Sequence, residues 1–373
     1  MSANLGEIVI IGGGIIGCTL AYDLARRGGR VTLLERQALA REASWASAGI
    51  ISAPSPAVPD RQEMSEIAFR RYPQLIQEVE ALSGIRTGWN LTGETFVGTA
   101  ADADAMGRIM QWQQELELEV VWLDEADLRR REPAVDAHYT CGIQIPAVAS
   151  VLLDRVCLAL ARSAEHYGAE IVEHMPVLGI EAQGGRATGV CTIAGVRSAG
   201  TVVIAAGAWS RMLSESVDFT IPTVPVRGQM MAIADPPLRI RTVIAGGGIY
   251  VVPRADGTVA VGATEEHEAG FAKDITPAGI RWLVEHIDGL VPSLNDGRLV
   301  ATWAGLRPGT EDGQPLIGRI PHLENVWLAA GHFRSGAMLA PGTSELLTSS
   351  IFAGSADERL ASFDPARAIH PVV

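Results

Sequence analysis

Three glycines near the start of the chain constrain its fold more than any other feature of the sequence. Gly12, Gly14 and Gly17 form the spacing G-x-G-x-x-G directly after the apolar run EIVII at residues 7–11. After a strand, the first glycine permits a sharp turn and the second lets a pyrophosphate approach the backbone. The third lets the following helix pack closely against the strand. The spacing therefore predicts a strand, a phosphate-binding turn and a helix.

The segment after the glycines completes a βαβ unit. The apolar pattern predicts a helix over residues 15–27, in which Ile15 and Ile16 form the first turn and the amides face the phosphates. Residues 30–35 form a second predicted strand, which ends at Glu35. An acid at that position accepts hydrogen bonds from a ribose diol. The unit predicts a dinucleotide site and leaves FAD and NAD open.

The rest of the chain alternates between two patterns. The α/β type recurs in the middle and at the end, whereas residues 224–263 carry short alternating strands that suit an antiparallel sheet. Further helices are predicted over 61–82, 104–118, 124–131, 151–167, 277–290 and 336–352, strands over 119–123, 169–173, 177–182, 187–193, 201–205, 299–306 and 325–330, and a long loop over 40–59.

These patterns predict an α/β protein in which a Rossmann-like nucleotide-binding domain carries an inserted α+β substrate domain built on an antiparallel sheet. The nucleotide-binding domain is expected to comprise residues 1–85, 150–222 and 300–373, and the substrate-binding domain residues 86–149 and 223–299.

Composition argues against several other classes of protein. The formal net charge of −13 disfavours a nucleic-acid partner, because phosphate contacts need clustered Lys and Arg. The one lysine, Lys273, lies in a polar stretch, which disfavours a pyridoxal Schiff base. The four cysteines have no metal-ligand spacing, so no metal site is predicted. The sequence has no basic leader and no apolar run of about 18 residues, so we expect a cytoplasmic protein without membrane contact.

Five further segments decide between the cofactors. They are EASWASAGIISAP at 42–54, Pro176-Val177, TVVIAAGAWS at 201–210, TWAGLRPGTEDGQPLIG at 302–318 and AAGHFRSGAMLAPGTSELL at 329–347. Together with the βαβ unit they resemble the D-amino-acid oxidase superfamily of FAD-dependent oxidoreductases, and most of all its glycine oxidases and sarcosine oxidases. The resemblance runs nearly end to end and implies FAD. An NAD-dependent dehydrogenase would leave the last two segments unexplained.

The resemblance implies which residues contact FAD. In GHFRSGAML, Gly331 and Gly336 expose backbone just before a helix, where donors suit the electron-rich edge of a reduced flavin. The full set carried over is Gly12, Gly14, Ile15, Ile16, Gly17, Glu35, Arg36, Ser44, Ala48, Gly49, Val177, Ala206, Gly207, Trp209, Arg334, Ser335, Gly336, Ala337 and Met338. Sarcosine oxidases with covalent flavin use a cysteine near Leu306–Ile317, where this chain has none, so the FAD is expected to be non-covalent.

The resemblance also implies how a substrate is held and oxidised. Arg307 matches the family's arginine and Tyr250 its tyrosine, which together grip an amino-acid carboxylate. Arg334 is a third candidate, as a source of positive field. The implied reaction is hydride transfer from the α-carbon to flavin N5, followed by hydrolysis of the imine and reduction of O2 to H2O2. The expected partners are a small amino acid or secondary amine and O2, and the assembly stays open between monomer and homo-oligomer.

Two features bear on which amine is oxidised. Gly246-Gly247-Gly248 and Glu265 depart from the family's bulkier or apolar residues, which suggests a wide mouth that accepts an N-substituent. The expected substrates are therefore glycine and N-substituted glycines such as sarcosine. Two alternatives stay open: an oxidase of small D-amino acids, and a flavin-dependent 2-hydroxy-acid dehydrogenase of the same fold. Arg307 and Tyr250 would hold the carboxylate of a 2-hydroxy acid equally well.

Overall fold

A computed structural model describes residues 5–56, 59–368 and 370–371; the parts of the predicted domains at 1–4, 57–58, 369 and 372–373 lie outside the described residues. In chain order the strands are β1 (Glu7–Ile11), β2 (Arg30–Leu34), β3 (Ile50–Ile51), β4 (Glu94–Gly98), β5 (Val121–Leu123), β6 (Cys141–Ile145), β7 (Ala149–Ser150), β8 (Glu170–Val172), β9 (Val177–Gln183), β10 (Arg186–Thr192), β11 (Gly195–Ser198), β12 (Thr201–Ile204), β13 (Phe219–Thr220), β14 (Val224–Ala234), β15 (Val243–Gly246), β16 (Ile249–Pro253), β17 (Val259–Gly262), β18 (Arg298–Gly309), β19 (Leu316–Arg319), β20 (Val326–Ala330) and β21 (His370–Pro371).

The α-helices are α1 (Ile15–Arg26), α2 (Ala43–Ala46), α3 (Gln62–Ser83), α4 (Ala103–Glu115), α5 (Glu125–Arg131), α6 (Leu153–His166), α7 (Ser214–Val217), α8 (Pro277–Leu290) and α9 (Gly336–Ala353). Short 3-10 segments occupy Pro59–Arg61, Gly207–Leu213, His267–Ala269, Pro292–Asp296, Glu358–Phe363 and Pro365–Arg367. Among the described residues, no helix combines the length and the apolar character that crossing a bilayer demands.

The first large sheet has six strands in the order β19-β20-β12-β1-β2-β8. Its strands run parallel except for the antiparallel pair of β19 and β20. Helix α1 packs against α6 and α9 on one side of this sheet, around a core that contains the fully buried Ile8 and Ile10. Strands from the start, middle and end of the chain thus form one nucleotide-type sheet, as the sequence predicts.

The second large sheet has eight strands in the order β18-β14-β17-β16-β15-β4-β6-β5. It is antiparallel throughout except where β15 runs parallel to β4. Helix α8 packs against one face of this sheet, through the buried Leu283 and Ile287. The two sheets together confirm the predicted fold class, a Rossmann-like domain with an inserted α+β domain.

The division into domains stays a proposal, with one boundary amended. Strand β18 belongs entirely to the eight-stranded sheet, so a boundary at residue 300 would cut through it. We therefore move that proposed boundary to the end of β18, at Gly309.

The long loop predicted over residues 40–59 is wrong in part, because it contains α2 and β3. Such short elements are fixed by tertiary contacts rather than by local pattern. Ile50 and Ile51 pair with β7, and Ala46 packs against the backbone of Gly305. The predicted strands and helices elsewhere agree within a few residues, but no strand is predicted for β4, β6, β7, β11, β13, β15, β19 or β21. In β4 and β6, glycine and polar residues such as Glu94 and Gln144 obscure the strand pattern.

Candidate active site

A cavity of about 1030 Å³ is lined by residues of both large sheets. The residues proposed from the sequence that line it are Gly12, Gly14, Ile15, Ile16, Glu35, Arg36, Ser44, Ala48, Val177, Ala206, Gly207, Trp209, Tyr250, Arg307, Arg334, Ser335, Gly336, Ala337 and Met338. Several of them follow the carboxyl ends of parallel strands, where open α/β sheets bind their ligands. The structure thus brings most of the proposed site residues together around one space.

Two proposed residues, Gly17 and Gly49, do not line the cavity. A Cβ on Gly17 would lie 1.9 Å from the carbonyl oxygen of Gly12, so Gly17 serves the close packing of α1 against the turn after β1. A Cβ on Gly49 would lie 1.9 Å from the carbonyl oxygen of Val151, and its φ is +75°. The structure therefore gives Gly49 a role in backbone packing, and its contact with the cofactor stays a prediction.

The turn after β1 is built for an anionic group. Gly12 has a φ of +111°, and a Cβ there would lie 2.5 Å from the carbonyl oxygen of Ala205. Gly14 forms the N-terminal cap of α1 without a side-chain cap bond, and a Cβ on it would project to within 3.3 Å of Ser44 Oγ. The Ile15 amide donates to Ser44 Oγ at 3.0 Å, and Ser44 itself lines the cavity. Bare backbone, helix amides and a hydroxyl fit a pyrophosphate.

The cavity continues past the end of β2 to a second polar group. The Glu35 carboxylate accepts from the amides of Gly13 at 2.7 Å and Gln37 at 2.9 Å, which fixes it at the strand end. The Arg36 guanidinium lies 3.7 Å from the centroid of the Trp209 ring. A carboxylate for the ribose diol beside a flat cation–aromatic pair suits an adenosine.

The start of α9 forms the other end of the cofactor site. Ser335 caps this helix, and no acidic residue lies in its first turn, so its free amides meet no competing charge. Arg61 donates to Ser335 Oγ at 3.0 Å and to Gln314 Oε1 at 2.8 Å, which fixes the segment before the helix. Sequence reasoning missed Arg61, because it lies more than 250 residues away from both partners.

The Arg307 guanidinium lies against Gly228 and occupies the space that a larger side chain there would fill. A Cβ on Gly228, in the neighbouring strand β14, would lie 2.5 Å from Arg307 Nη1 and 2.6 Å from its Cζ. Arg307 Nη1 donates to the carbonyl oxygen of Thr264 at 2.9 Å. Burial lowers the pKa of Arg307, and the Tyr250 hydroxyl beside the guanidinium partly offsets that effect. The cation remains charged, because the ordinary pKa of arginine lies far above neutral pH.

The Tyr250 side chain likewise lies against a glycine of the neighbouring strand, Gly262. A Cβ on Gly262 would lie 2.9 Å from the Tyr250 hydroxyl oxygen, so the ring lies over bare backbone of β17. Tyr250 and Arg307 therefore converge on one region of the cavity from β16 and β18. A planar cation with several donors and a phenol hydroxyl in one place can grip a carboxylate.

Arg334 lines the cavity but is more exposed than Arg307. Its side chain is half-exposed, and its Nη1 lies 3.5 Å from Oε2 of Glu265, which also pairs with His267 at 3.1 Å. Glu265 is not among the residues that line the cavity. The proposed role of Glu265 at a wide mouth is therefore replaced by an ion pair with Arg334 at the rim, worth about 0–1 kcal/mol at an exposed site.

The three glycines at 246–248 are explained by close packing and by a turn of the backbone. A Cβ on Gly246 would lie 2.5 Å from Val97 Cγ2, and Gly247 and Gly248 have φ values of +57° and +83°. The last two form the two-residue hairpin turn between β15 and β16, for which positive φ is required. Turn geometry and packing explain the three glycines, so they no longer support a wide mouth.

Among the described residues, neither a metal-ligand cluster nor a cysteine lines the cavity. In the described part of the chain, no group of three or more His, Cys, Asp or Glu side chains could hold a metal ion. Cys18, Cys141, Cys157 and Cys191 are all described, and none of them lines the cavity.

A substitution at Gly228 tests whether this glycine makes room for the Arg307 guanidinium. The added Cβ of Gly228→Ala meets only the end of a flexible side chain, so we expect stability to change little. The displaced guanidinium should lower kcat/KM for a carboxylate substrate by about 10- to 100-fold, since misplacement by about 1 Å has effects of that size. Steady-state kinetics at equal FAD content measures it. Gly289→Ala, which adds a Cβ with nothing within 4 Å, is the control. Equal kinetics for both variants would contradict the proposal that Gly228 makes room for the guanidinium.

His332 makes the fold sensitive to acid. It is buried in the cavity wall beside Thr343 Oγ1 at 3.0 Å, and burial together with Arg61 lowers its pKa to about 3. Because the unfolded imidazole has a pKa near 6.5, the unfolded chain binds more protons between about pH 3 and 6.5. The neutral His332 imidazole therefore contributes its full stability above about pH 6.5. That contribution is lost as the pH falls towards about 3, by up to about 1.4 kcal/mol per pH unit.

We therefore expect His332→Gln to flatten the acid branch of the stability curve. Urea unfolding midpoints at about pH 7 and pH 4.5 measure the free energy of unfolding on both sides of the window. His166→Gln removes an exposed imidazole and is the matched control. The idea fails if the two variants lose the same stability between the two pH values.

Comparisons with known proteins identify relatives of nearly the whole chain. The family described as FAD dependent oxidoreductase, DAO, matches residues 7–350. A glycine oxidase of Pseudomonas putida is 33% identical over 348 residues, which cover 92% of this chain and 93% of that protein. The crystal structure of glycine oxidase from Geobacillus kaustophilus superposes with a TM-score of 0.87 at 29% identity, over 97% of this chain and 99% of that one. Iminodiacetate oxidase from Chelativorans sp. BNC1 superposes with a TM-score of 0.87 at 26% identity, over 96% and 98%.

Proposed function

The chain belongs to the family of FAD-dependent oxidoreductases, and from that premise we propose that it oxidises glycine and N-substituted glycines such as sarcosine. FAD is its cofactor. The observation that carries the proposal is the convergence of Arg307 and Tyr250 in the cavity that also contains the dinucleotide turn. A neutral pocket would not select amino acids, whereas this pair selects a carboxylate next to the cofactor.

The side chains act by binding and orienting the substrate. The fork of Arg307 can donate two parallel hydrogen bonds to a carboxylate, and the Tyr250 hydroxyl can donate a third. Fixing the carboxylate orients the α-carbon and its hydrogen, and such orientation can lower the barrier of a bimolecular step by about 7–11 kcal/mol. Gly228 and Gly262 leave the room that these two side chains need.

Bound FAD supplies the hydride acceptor and passes the electrons to O2, with formation of H2O2. The residues that would hold it are the turn at Gly12 and Gly14, Ser44, Glu35 and the start of α9. His332, in the cavity wall, stays neutral because its pKa is lowered to about 3. A neutral imidazole adds no charge that would repel the developing iminium, and the imine is hydrolysed by water.

The FAD is proposed to be non-covalent. No cysteine of the described chain lines the cavity, so no thiol is available there for attachment. We expect acid precipitation to leave the yellow flavin in the supernatant; flavin that precipitates with the protein would contradict this. The four cysteines are unpaired, which supports the proposed cytoplasmic location.

Acceptance of an N-substituent is supported by the extent of the cavity and by one relative. The cavity continues beyond Tyr250 to β4, α4 and β6, which leaves room on the far side of the amine. The iminodiacetate oxidase that superposes on this chain is named for an N-substituted glycine.

A substrate panel tests the proposal. We expect peroxide with glycine, sarcosine and N-ethylglycine, and little with 2-hydroxy acids or D-alanine, in a coupled peroxide assay of the FAD-loaded protein. Oxidation of D-alanine alone would favour an oxidase of small D-amino acids. Reduction of the flavin by a 2-hydroxy acid without any reaction of an amine would favour the dehydrogenase alternative.

A further inference from the structure

One part of the cavity is mostly apolar but contains two buried polar side chains. Strand β4, helix α4 and the segment after β3 enclose a region that we call the distal pocket, lined by Ala53, Glu94, Phe96, Met106, Ile109 and Gln113. Four of these side chains are apolar, and the two polar ones are almost completely buried. Nothing in the proposed chemistry at Arg307 and Tyr250 uses them.

Glu94 carries an unpaired oxygen in this pocket. The residue is 3% exposed, and its Oε2 has no hydrogen-bond partner among the described residues. Burial raises the pKa of the carboxyl to about 7, although the Ser52 hydroxyl donates to it. A buried carboxyl without a full set of donors is costly to a fold, and in a cavity wall a bound ligand is one partner that can complete it.

Gln113 presents a second unpaired acceptor. The residue is 2% exposed, and its Nε2 donates to the carbonyl oxygen of Pro54 at 3.1 Å. That bond fixes the orientation of the amide, and Oε1 is left without a partner within the described chain. Two buried acceptors in one small pocket call for a group with several hydrogen-bond donors.

The charges of the pocket specify the sign of that group. The arginines that line the described cavity are Arg36, Arg41, Arg307 and Arg334, and none of them belongs to the distal pocket. Asp102 lies at its exposed rim, where the amide and hydroxyl of Thr99 lower the pKa of its carboxyl. The pocket is therefore acidic, and a cation is favoured over an anion there.

The sheet register places the pocket in line with the carboxylate site. Tyr250 pairs with Ala245, Ala245 pairs with Phe96, and Glu94 is two residues from Phe96, so these residues share one face of the sheet. Two strand spacings and two residues separate the Cα atoms of Tyr250 and Glu94 by roughly 12 Å. One extended molecule can therefore contact both ends of the cavity.

We propose that the distal pocket binds the far end of the substrate and that this end is an ammonium group. The substrate class is an N-substituted glycine whose alkyl substituent ends in a primary amine. Its carboxylate lies on Arg307 and Tyr250, and its ammonium donates to Glu94 and Gln113. This inference rests on the proposed oxidation of N-substituted glycines.

The pocket's walls and charge suit such a substituent. Phe96, Met106 and Ile109 can pack on its methylene groups, whose burial favours binding. An ammonium beside Glu94 holds that carboxyl in its ionised form, which removes the cost of keeping a lone charge buried. A neutral alkyl chain of equal length gains the apolar contacts but leaves both acceptors unpaired.

The test compares matched substrates on the FAD-loaded protein. The series runs from N-(2-aminoethyl)glycine to N-(6-aminohexyl)glycine, each paired with the N-alkylglycine of the same length. We expect the amine-terminated member to have the higher kcat/KM at an intermediate length, by roughly 10- to 100-fold, as a charged hydrogen bond predicts. Equal values across every pair would overturn the inference while leaving the proposed oxidation of sarcosine intact.

Two variants assign the effect to the pocket. Glu94→Gln keeps the shape of the side chain and should lower kcat/KM for the amine-terminated substrates roughly 10-fold or more, with sarcosine kinetics unchanged. Glu132→Gln is the matched control, because Glu132 is 1% exposed and also has an unpaired Oε2, yet it does not line the cavity. A loss that is the same for sarcosine and for the amine-terminated substrates would overturn the assignment.

Binding supplies a readout that does not depend on turnover. Under anaerobic conditions the flavin absorbance gives an affinity in either case: from the shift of the oxidised spectrum where the amine is not oxidised, and from the dependence of the bleaching rate on substrate concentration where it is. If no amine is oxidised but the amine-terminated ligands bind more tightly in a Glu94-dependent way, the pocket is correct and the proposed reaction is wrong. If they bind no better than their alkyl partners, the inference is wrong.

Discussion

Arg307→Ala is expected to lower kcat/KM for glycine and sarcosine by at least 100-fold while leaving the FAD content unchanged. The guanidinium is partly buried, charged and in the wall of the cavity where the carboxylate would lie, and removing one partner of a buried charge pair costs about 3–5 kcal/mol. Most of the loss should appear in KM, with a further loss in kcat because the α-carbon is no longer oriented. Arg307→Lys should recover only part of it, since a lysine has no planar fork.

Two comparisons make this expectation specific. Arg254 is another arginine whose pKa is lowered by burial, but it lies outside the cavity lining, so Arg254→Ala should keep near-normal kinetics. Arg334→Ala removes a half-exposed side chain at the rim and should cost far less than Arg307→Ala. If Arg334→Ala were the more damaging of the two, the assignment of the carboxylate to Arg307 would have to be exchanged.

Gly17→Ala is expected to yield protein that retains less than about a tenth of its FAD after gel filtration. The new Cβ would lie 1.9 Å from the carbonyl oxygen of Gly12, and both atoms belong to backbone-fixed groups that cannot turn aside. Either α1 moves away from β1 or the turn at Gly12 opens. Each movement displaces the amides that meet the pyrophosphate, and the close approach on which that contact depends is lost.

The ratio of flavin absorbance to protein absorbance measures the retained FAD. Gly289→Ala adds the same methyl group in a helix with nothing within 4 Å, and should keep its FAD and gain a little stability. Circular dichroism on both proteins separates loss of cofactor from loss of fold. A Gly17→Ala protein with full FAD would contradict the role of close packing in this turn.

The sequence predicts well those features that depend on local spacing. The turn at Gly12–Gly17 and the acid at Glu35 have fixed distances along the chain, so the βαβ unit can be derived from the residues themselves. Arg307 and Tyr250 lie 57 positions apart, and only the family resemblance links them. The structure supplies the physical link, because β16, β17, β14 and β18 are neighbours in one sheet.

Other features could not have been predicted, since they depend on contacts between distant parts of the chain. Gly228 reads as an ordinary glycine in a strand until the guanidinium of Arg307 is seen against it. Gly246–Gly248 suggest open space in the sequence but form a hairpin turn and a close packing contact. Glu94 is a lone acid in a strand, and its unpaired oxygen appears only when β4, α4 and the segment after β3 are assembled.

Anaerobic mixing of the FAD-loaded protein with sarcosine tests the central claim most directly. The account predicts that the visible flavin band bleaches on mixing, that it returns when O2 is admitted, and that H2O2 appears in equal amount. Arg307→Ala should bleach only slowly under the same conditions. A flavin band that stays unchanged with glycine, sarcosine and every N-alkylglycine would contradict the account.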